Sequence, residues 1–184
     1  MRKNIFLILS VLILDILFAG CSMNIETKPD SFEIFLVKDL SAHDAANTAI
    51  EKLVLEDEPI ITLKDIPRYY WQNQIFIANK EGLSEQLRKA TKTSGLPFVV
   101  VVNDERIYLG TFWTLLSSMT PPETPVTYID GIWMDEMHEL QKDGYLNEPG
   151  KNEIYFMIDT RFAENKGVKD KRIYNVMKKA GVLL

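Results

Sequence analysis

The chain has 184 residues, of which 46% are hydrophobic and 26% charged, with a formal net charge of -5 at pH 7. That acidic balance speaks against nucleic acid, which requires a basic footprint, and against adhesion to anionic lipid by overall charge. Cys21 is the only cysteine, so an intrachain disulfide and a CxxC redox motif are excluded, and were it acylated no thiol would remain to ligate a metal.

The opening segment MRKNIFLILSVLILDILFAGC places Arg2 and Lys3 before an apolar run that ends in Ala19, Gly20 and Cys21. This basic, apolar, small order predicts an export signal over residues 1–20 rather than a fold element. The run is short for a membrane span of roughly 20 apolar residues, and it contains Asp15. Leu17-Phe18-Ala19-Gly20-Cys21 is similar to a bacterial lipobox, with Phe18 and Asp15 as departures. The expectation is a lipoprotein that is cleaved before Cys21, acylated there and held at the cell membrane facing away from the cytoplasm. The alternatives are an ordinary cleaved signal or an uncleaved anchor. Ser22 to Ser31 is polar and aperiodic and reads as the end of a tether over residues 21–31. Without the signal's charges, 19 Lys plus Arg face 25 Asp plus Glu, a net charge of -6.

Residues 32–184 suit one domain. FEIFLVKDL (Phe32 to Leu40) has strand composition, and Ser41 with Asp44 predicts a capped helix whose apolar face is Ala45, Ala46, Ala49, Ile50 and Leu53. Thr62 and Asp65 suit one short helical turn before Pro67. Tyr69 to Ala78 reads as a strand with Trp71, Ile75 and Ile77 on one face, and Leu83, Leu87 and Ala90 mark a helix stopped by Gly95. LPFVVVVNDERIYLGTFW (Leu96 to Trp113) predicts a hairpin turning at Asn103 to Arg106, with Val99 to Val102 buried on both faces. Gly110 is expected to bend the chain toward Phe112 and Trp113.

Three prolines then lead to a short strand from Val126. Trp133, Met137 and Leu140 fall at helical spacing, Glu153 to Asp159 alternates as a strand, and Ile173, Val176, Met177 and Ala180 mark a last helix. The class expected is α+β, a mixed, largely antiparallel sheet covered by helices.

Three segments, FEIFLVKDL, EPIITLKDIPRYYWQNQIFI and GLPFVVVVNDERIYLGTFWTLLSS, together resemble a group of exported, uncharacterised bacterial lipoproteins. More distantly they are similar to the first extracytoplasmic domain of the SecD translocase subunit. There a "PLLT..D(I/V)" segment precedes a strand, matched here by Pro59 to Ile66, and a strand–turn–strand follows, matched by Val99 to Leu109. The resemblance covers Phe32 to Asp130 and leaves residues 131–184 as an extension. It implies an α+β fold in an extracytoplasmic setting. It carries over neither translocase activity nor catalytic residues, because no multi-helix membrane portion accompanies these segments.

The chemistry available is sparse. With only His43 and His138, a His₃ zinc site and an HExxH motif are both ruled out. Asp135, His138 and Glu139 share a predicted helix and read as a solvated face rather than half a metal site. Ser117 and Ser118 lack an assignable base, and there is no GxSxG elbow. Glu56, Asp57 and Glu58 form an acidic run that suits a solvated turn better than paired acid–base work. No cofactor or metal is expected.

Tyr69, Tyr70, Trp71, Phe112, Trp113 and Trp133 are core or groove aromatics. Tyr70 and Trp113, at element edges, join Glu56 and Asp57 as candidate binding residues. The expectation is a membrane-anchored, non-enzymatic module that binds an envelope protein or peptide, with an open edge of the hairpin adding a partner strand. The alternative is a small-molecule receptor or envelope enzyme that uses the acidic and aromatic residues.

Overall fold

A computed structural model of the chain describes residues 29–129, 134–142, 144, 146, 150, 152–163 and 167–184. The signal segment, Cys21, Trp133 and the side chains of Asp135 and Met137 lie outside the described residues.

The architecture is α+β. A five-stranded sheet has the order β2 (Ile61–Thr62), β1 (Phe32–Leu36), β5 (Leu96–Val102), β6 (Glu105–Trp113), β7 (Val126–Tyr128). A second sheet has the order β3 (Arg68–Tyr70), β4 (Ile75–Asn79), β8 (Glu153–Met157). Every pairing is antiparallel except β6 with β7. The two sheets meet where Asp159, just past β8, bridges Val126.

The hairpin is the centre of the larger sheet. Val102 pairs Glu105 across a two-residue turn, and Asn103 and Asp104 both have positive φ, 50° and 66°. Asn and Asp tolerate that conformation better than branched residues, so NDE turns where a β-branched triplet would not. The turn is therefore Asn103-Asp104 alone, with Glu105 and Arg106 already in β6.

The side-chain period of two then separates the valines. Phe98, Val100 and Val102 join the central core, while Val99 and Val101 pack on the opposite face with Val37, Ala45 and Leu53. All of Val99 to Val102 are buried, each contributing about 1.5–3 kcal/mol relative to an exposed side chain. Gly110 does not bend the chain as expected. It lies within β6 opposite Phe98, whose ring occupies the space that a side chain there would take.

The central core lies between the sheets and is closed by α2 (Leu83–Ala90), through Leu83 and Leu87, and by α4 (Lys171–Lys179), through Ile173, Val176 and Met177. Phe76 stacks on Phe156 at 4.8 Å inside it. Elements on both sides of residue 130 thus share one core. On the outer face of the small sheet, Leu140 of α3 (Met134–Lys142) packs against Tyr70, Ile75, Ile77 and Leu146.

The helix α2 ends at Ala90, capped at Thr91 and not at Gly95, and two further elements differ from expectation. The helix after Ser41 ends early: α1 spans Ala42–Ala46, and Ile50–Lys52 form a separate 3-10 turn. Asn47 Nδ2 donates back to the His43 carbonyl at 2.9 Å and Thr48 Oγ1 to the Asp44 carbonyl at 2.8 Å. Such local bonding by polar side chains competes with helix propagation. The strand over Tyr69 to Ala78 is instead a hairpin, because Gln72, Asn73 and Gln74 interrupt the apolar run and Gln74 takes φ 55°. Trp71 therefore leaves the face of Ile75 and Ile77 and packs edge-on against Tyr174 at 5.3 Å. The short turn at Thr62 forms as expected, with the Asp65 carboxylate accepting from the Thr62 N–H at 2.8 Å.

Candidate functional site

The four binding residues expected from the sequence fall at three separate places, with Glu56 and Asp57 together beside Lys38. Glu56 is exposed at the rim of a shallow cleft that also contains Asp39, Ser41 and Lys92. Asp57 projects into solvent and accepts from Lys38 Nζ at 2.9 Å, with Glu56 3.8 Å from the same ammonium. The acidic run therefore has a counter-ion, and that hydrogen bond to Asp57 raises the Lys38 pKa.

Tyr70 lies almost wholly within the small sheet's outer cluster and borders a cleft with Asn73, Leu140 and Leu184. Trp113 is 2% exposed and packs with Ala42 and Val126. No one of these clefts joins an acidic residue of the 56–58 run to Trp113. His138 and Glu139 are exposed on α3, and no metal-binding group of three His, Cys, Asp or Glu occurs among the described residues.

The outer edge of the hairpin, where a partner strand is expected, is paired over only part of its length. β5 lies between β1 and β6, and β7 takes the last three residues of β6. Further back, the Gly167 backbone comes up against Ile107 and Tyr108, close enough that an added Cβ would stand 3.1 Å from the Ile107 carbonyl oxygen.

What the sequence reading missed lies just past β6. Leu115, Leu116 and Met119 are 50%, 84% and 47% exposed. Three large apolar side chains are exposed within five residues, unlike the singly scattered exposed leucines found on any surface. The loop that carries them is tied at several points. Ser117 Oγ donates to the Thr93 carbonyl at 2.5 Å and accepts from the Met119 N–H at 3.1 Å, and Leu116 N–H donates to Thr114 Oγ1 at 3.2 Å. Ser117 thus fastens the loop. Beneath the loop, Trp113 meets the edge of His43 at a ring separation of 6.4 Å, and His43 Nε2 lies 3.0 Å from the Thr120 carbonyl oxygen. A cleft of about 670 Å³ opens beside it, lined by His43, Asn47, Thr120, Pro122, Glu123 and Phe162.

No family model, curated protein or solved structure matches this chain. The geometry therefore carries the functional reading.

Burial pushes the Tyr69 and Tyr108 hydroxyls up, and both rings sit in the central core. Glu85 and Asp170 are lowered first by hydrogen bonds from Arg88 and Arg172, on helix surfaces. None of the three clefts contains any of these groups. No helix among the described residues is long and apolar enough to cross a membrane.

The signal that would have found the loop was present. Leu115, Leu116 and Met119 stand between the strand end at Trp113 and Pro121, a segment too short to form an element of its own that would bury them.

Proposed function

We propose that this protein is a membrane-anchored extracytoplasmic lipoprotein that binds an envelope protein or peptide through the Leu115–Met119 loop. The observation that carries the reading is the fastened, exposed apolar loop. An ordinary loop is polar, and exposing Leu116 in water costs about 1.5–3 kcal/mol relative to burying it, which a partner recovers. Fastening also lowers the ordering cost of association.

Position favours a protein partner over the bilayer. Asn103 at the hairpin turn clasps Ser31 at the root of the tether, with Ser31 N–H donating to Asn103 Oδ1 at 2.8 Å and Asn103 N–H to the Ser31 carbonyl at 3.2 Å. The apolar loop follows the other end of β6, roughly 27 Å away at about 3.3 Å per residue. A tether from Cys21 to Ser31 extends only about 33–36 Å at full stretch, so bringing the loop to the bilayer would use most of its reach.

The test places a photo-crosslinking residue at position 116 in the native cell, with a control at exposed Glu81. A specific adduct from 116 and none from 81 is the expected result. Crosslinks to lipid alone, or equal labelling from both positions, would refute the reading. Mass spectrometry of the mature N-terminus is expected to find Cys21 acylated.

A further inference from the structure

The net charge of -6 outside the signal hides an uneven distribution. Residues 167–184 contain Lys169, Lys171, Arg172, Lys178 and Lys179 against the single acid Asp170. All five cations are exposed. On α4, the buried side is Ile173, Val176 and Met177, and the opposite stripe is Lys171, Asn175 and Lys178 at i, i+4 and i+7. Neither Lys171 nor Lys178 forms an ion pair among the described residues.

The helix is fixed to the root of the tether at both ends. Lys179 Nζ lies 2.6 Å from Asp30, and Arg172 reaches Glu105, beside the turn that clasps Ser31, at 2.5 Å. The most basic of the described helices therefore lies where the tether leaves the domain, at the opposite end of β6 from the apolar loop.

We propose that the outer face of α4 docks on anionic phospholipid headgroups and sets the domain's orientation, so that the Leu115–Met119 loop points away from the membrane. The inference rests on the proposed acyl anchor, which holds α4 near the surface. Its chemistry is that of cations against a negatively charged leaflet, in which each nearby Lys contributes about a fivefold preference, so two contribute about thirtyfold. The interaction is screened within a Debye length of about 8 Å at physiological salt.

The experiment uses the full mature chain, acylated at Cys21 so that an added cysteine is the only free thiol. A nitroxide at Asn175→Cys, and in a second sample at Ser118→Cys, reports collision with a water-soluble relaxation agent. The vesicles are phosphatidylcholine alone or phosphatidylcholine with one-third phosphatidylglycerol. The expected result is protection at 175 on the phosphatidylglycerol vesicles only, lost in high salt, with position 118 equally accessible on both. Adding Lys171→Gln and Lys178→Gln is expected to lower the docked-to-free ratio about thirtyfold while the circular dichroism spectrum stays unchanged.

Equal accessibility at 175 on both vesicle types, or protection at 118, would overturn the proposal. Failure of the anchor reading is seen separately, as a chain that does not float with phosphatidylcholine vesicles. In that event, docking is read from flotation with the phosphatidylglycerol vesicles, and no lysine-dependent flotation there would overturn it.

Discussion

Gly110 offers a direct test of how the hairpin is packed. It pairs with Phe98 across β5 and β6, and a Cβ at position 110 would stand 2.7 Å from Phe98 Cε2. The ring cannot easily yield, because Phe98 is 2% exposed with Phe112 at 4.5 Å and Tyr108 at 6.4 Å. Gly110 does not have a positive φ, so alanine meets no backbone penalty there. It gains about 0.4–1 kcal/mol from a less flexible unfolded chain. Overpacking costs about 1–3 kcal/mol, so Gly110→Ala is expected to destabilise the fold by roughly 1–2 kcal/mol. That corresponds to a drop in Tm of roughly 3–6 °C for a domain of this size. Urea unfolding followed by tryptophan fluorescence measures it, and Phe98→Leu supplies the control by making room beneath position 110. The double variant is expected to be more stable than the sum of the single effects by about 0.5 kcal/mol or more. Strict additivity, or a Gly110→Ala protein as stable as the parent, would refute the packing argument.

Gly95→Ala is expected to cost more, roughly 2–4 kcal/mol. It combines left-handed strain at φ 78° with a Cβ only 2.6 Å from Trp113 Cε3 and 2.9 Å from Ala42 Cβ, and a shifted Trp113 emission would report it. Leu116→Ser is expected to change stability by less than about 0.5 kcal/mol while abolishing the adduct from a crosslinker at Ser118, because its side chain is 84% exposed and contributes little to the fold. Asp170 supplies a pH test. The hydrogen bond from Arg172 lowers its pKa in the folded state, so its contribution is present above the ordinary carboxylate value near 4 and is lost as pH falls through the lower folded value. Asp170→Asn retains a side-chain oxygen to cap Arg172 N–H, so the urea midpoint of the variant should lie slightly below the parent's at pH 7 and converge with it in acid. A constant gap down to pH 2 would show that the cap, not the charge, was lost.

Much of the fold was legible because its signals are local. Four consecutive valines before Asn103 specify a doubly buried strand and a turn, and Ile173, Val176 and Met177 specify the inner face of the last helix. Two of the departures have local causes too, in side-chain bonds from Asn47 and Thr48 and in the polar stretch Gln72 to Gln74. The division into two sheets was not legible, because it depends on β8 pairing with β4 across more than 70 residues of chain.

The candidate site was harder to read than the fold. Tyr70 and Trp113 carry the composition of a binding surface, but both are buried. The residues the fold leaves exposed, Leu115, Leu116 and Met119, have the composition of a core. Composition reports what a side chain prefers, and only the path of the chain decides whether that preference is met. The basic face of α4 was masked for a related reason, since net charge averages over surfaces that face opposite ways.

The clasp between Ser31 and Asn103 also has a mechanical consequence. A pull between a fixed tether and a partner held at the 115–119 loop enters the domain at the Phe32 end of β1 and leaves at the Trp113 end of β6. That line runs along the strands. The five residue pairs of β1 with β5 then share the load in shear instead of parting one after another like a zipper, so the geometry resists tension between the two ends of the molecule.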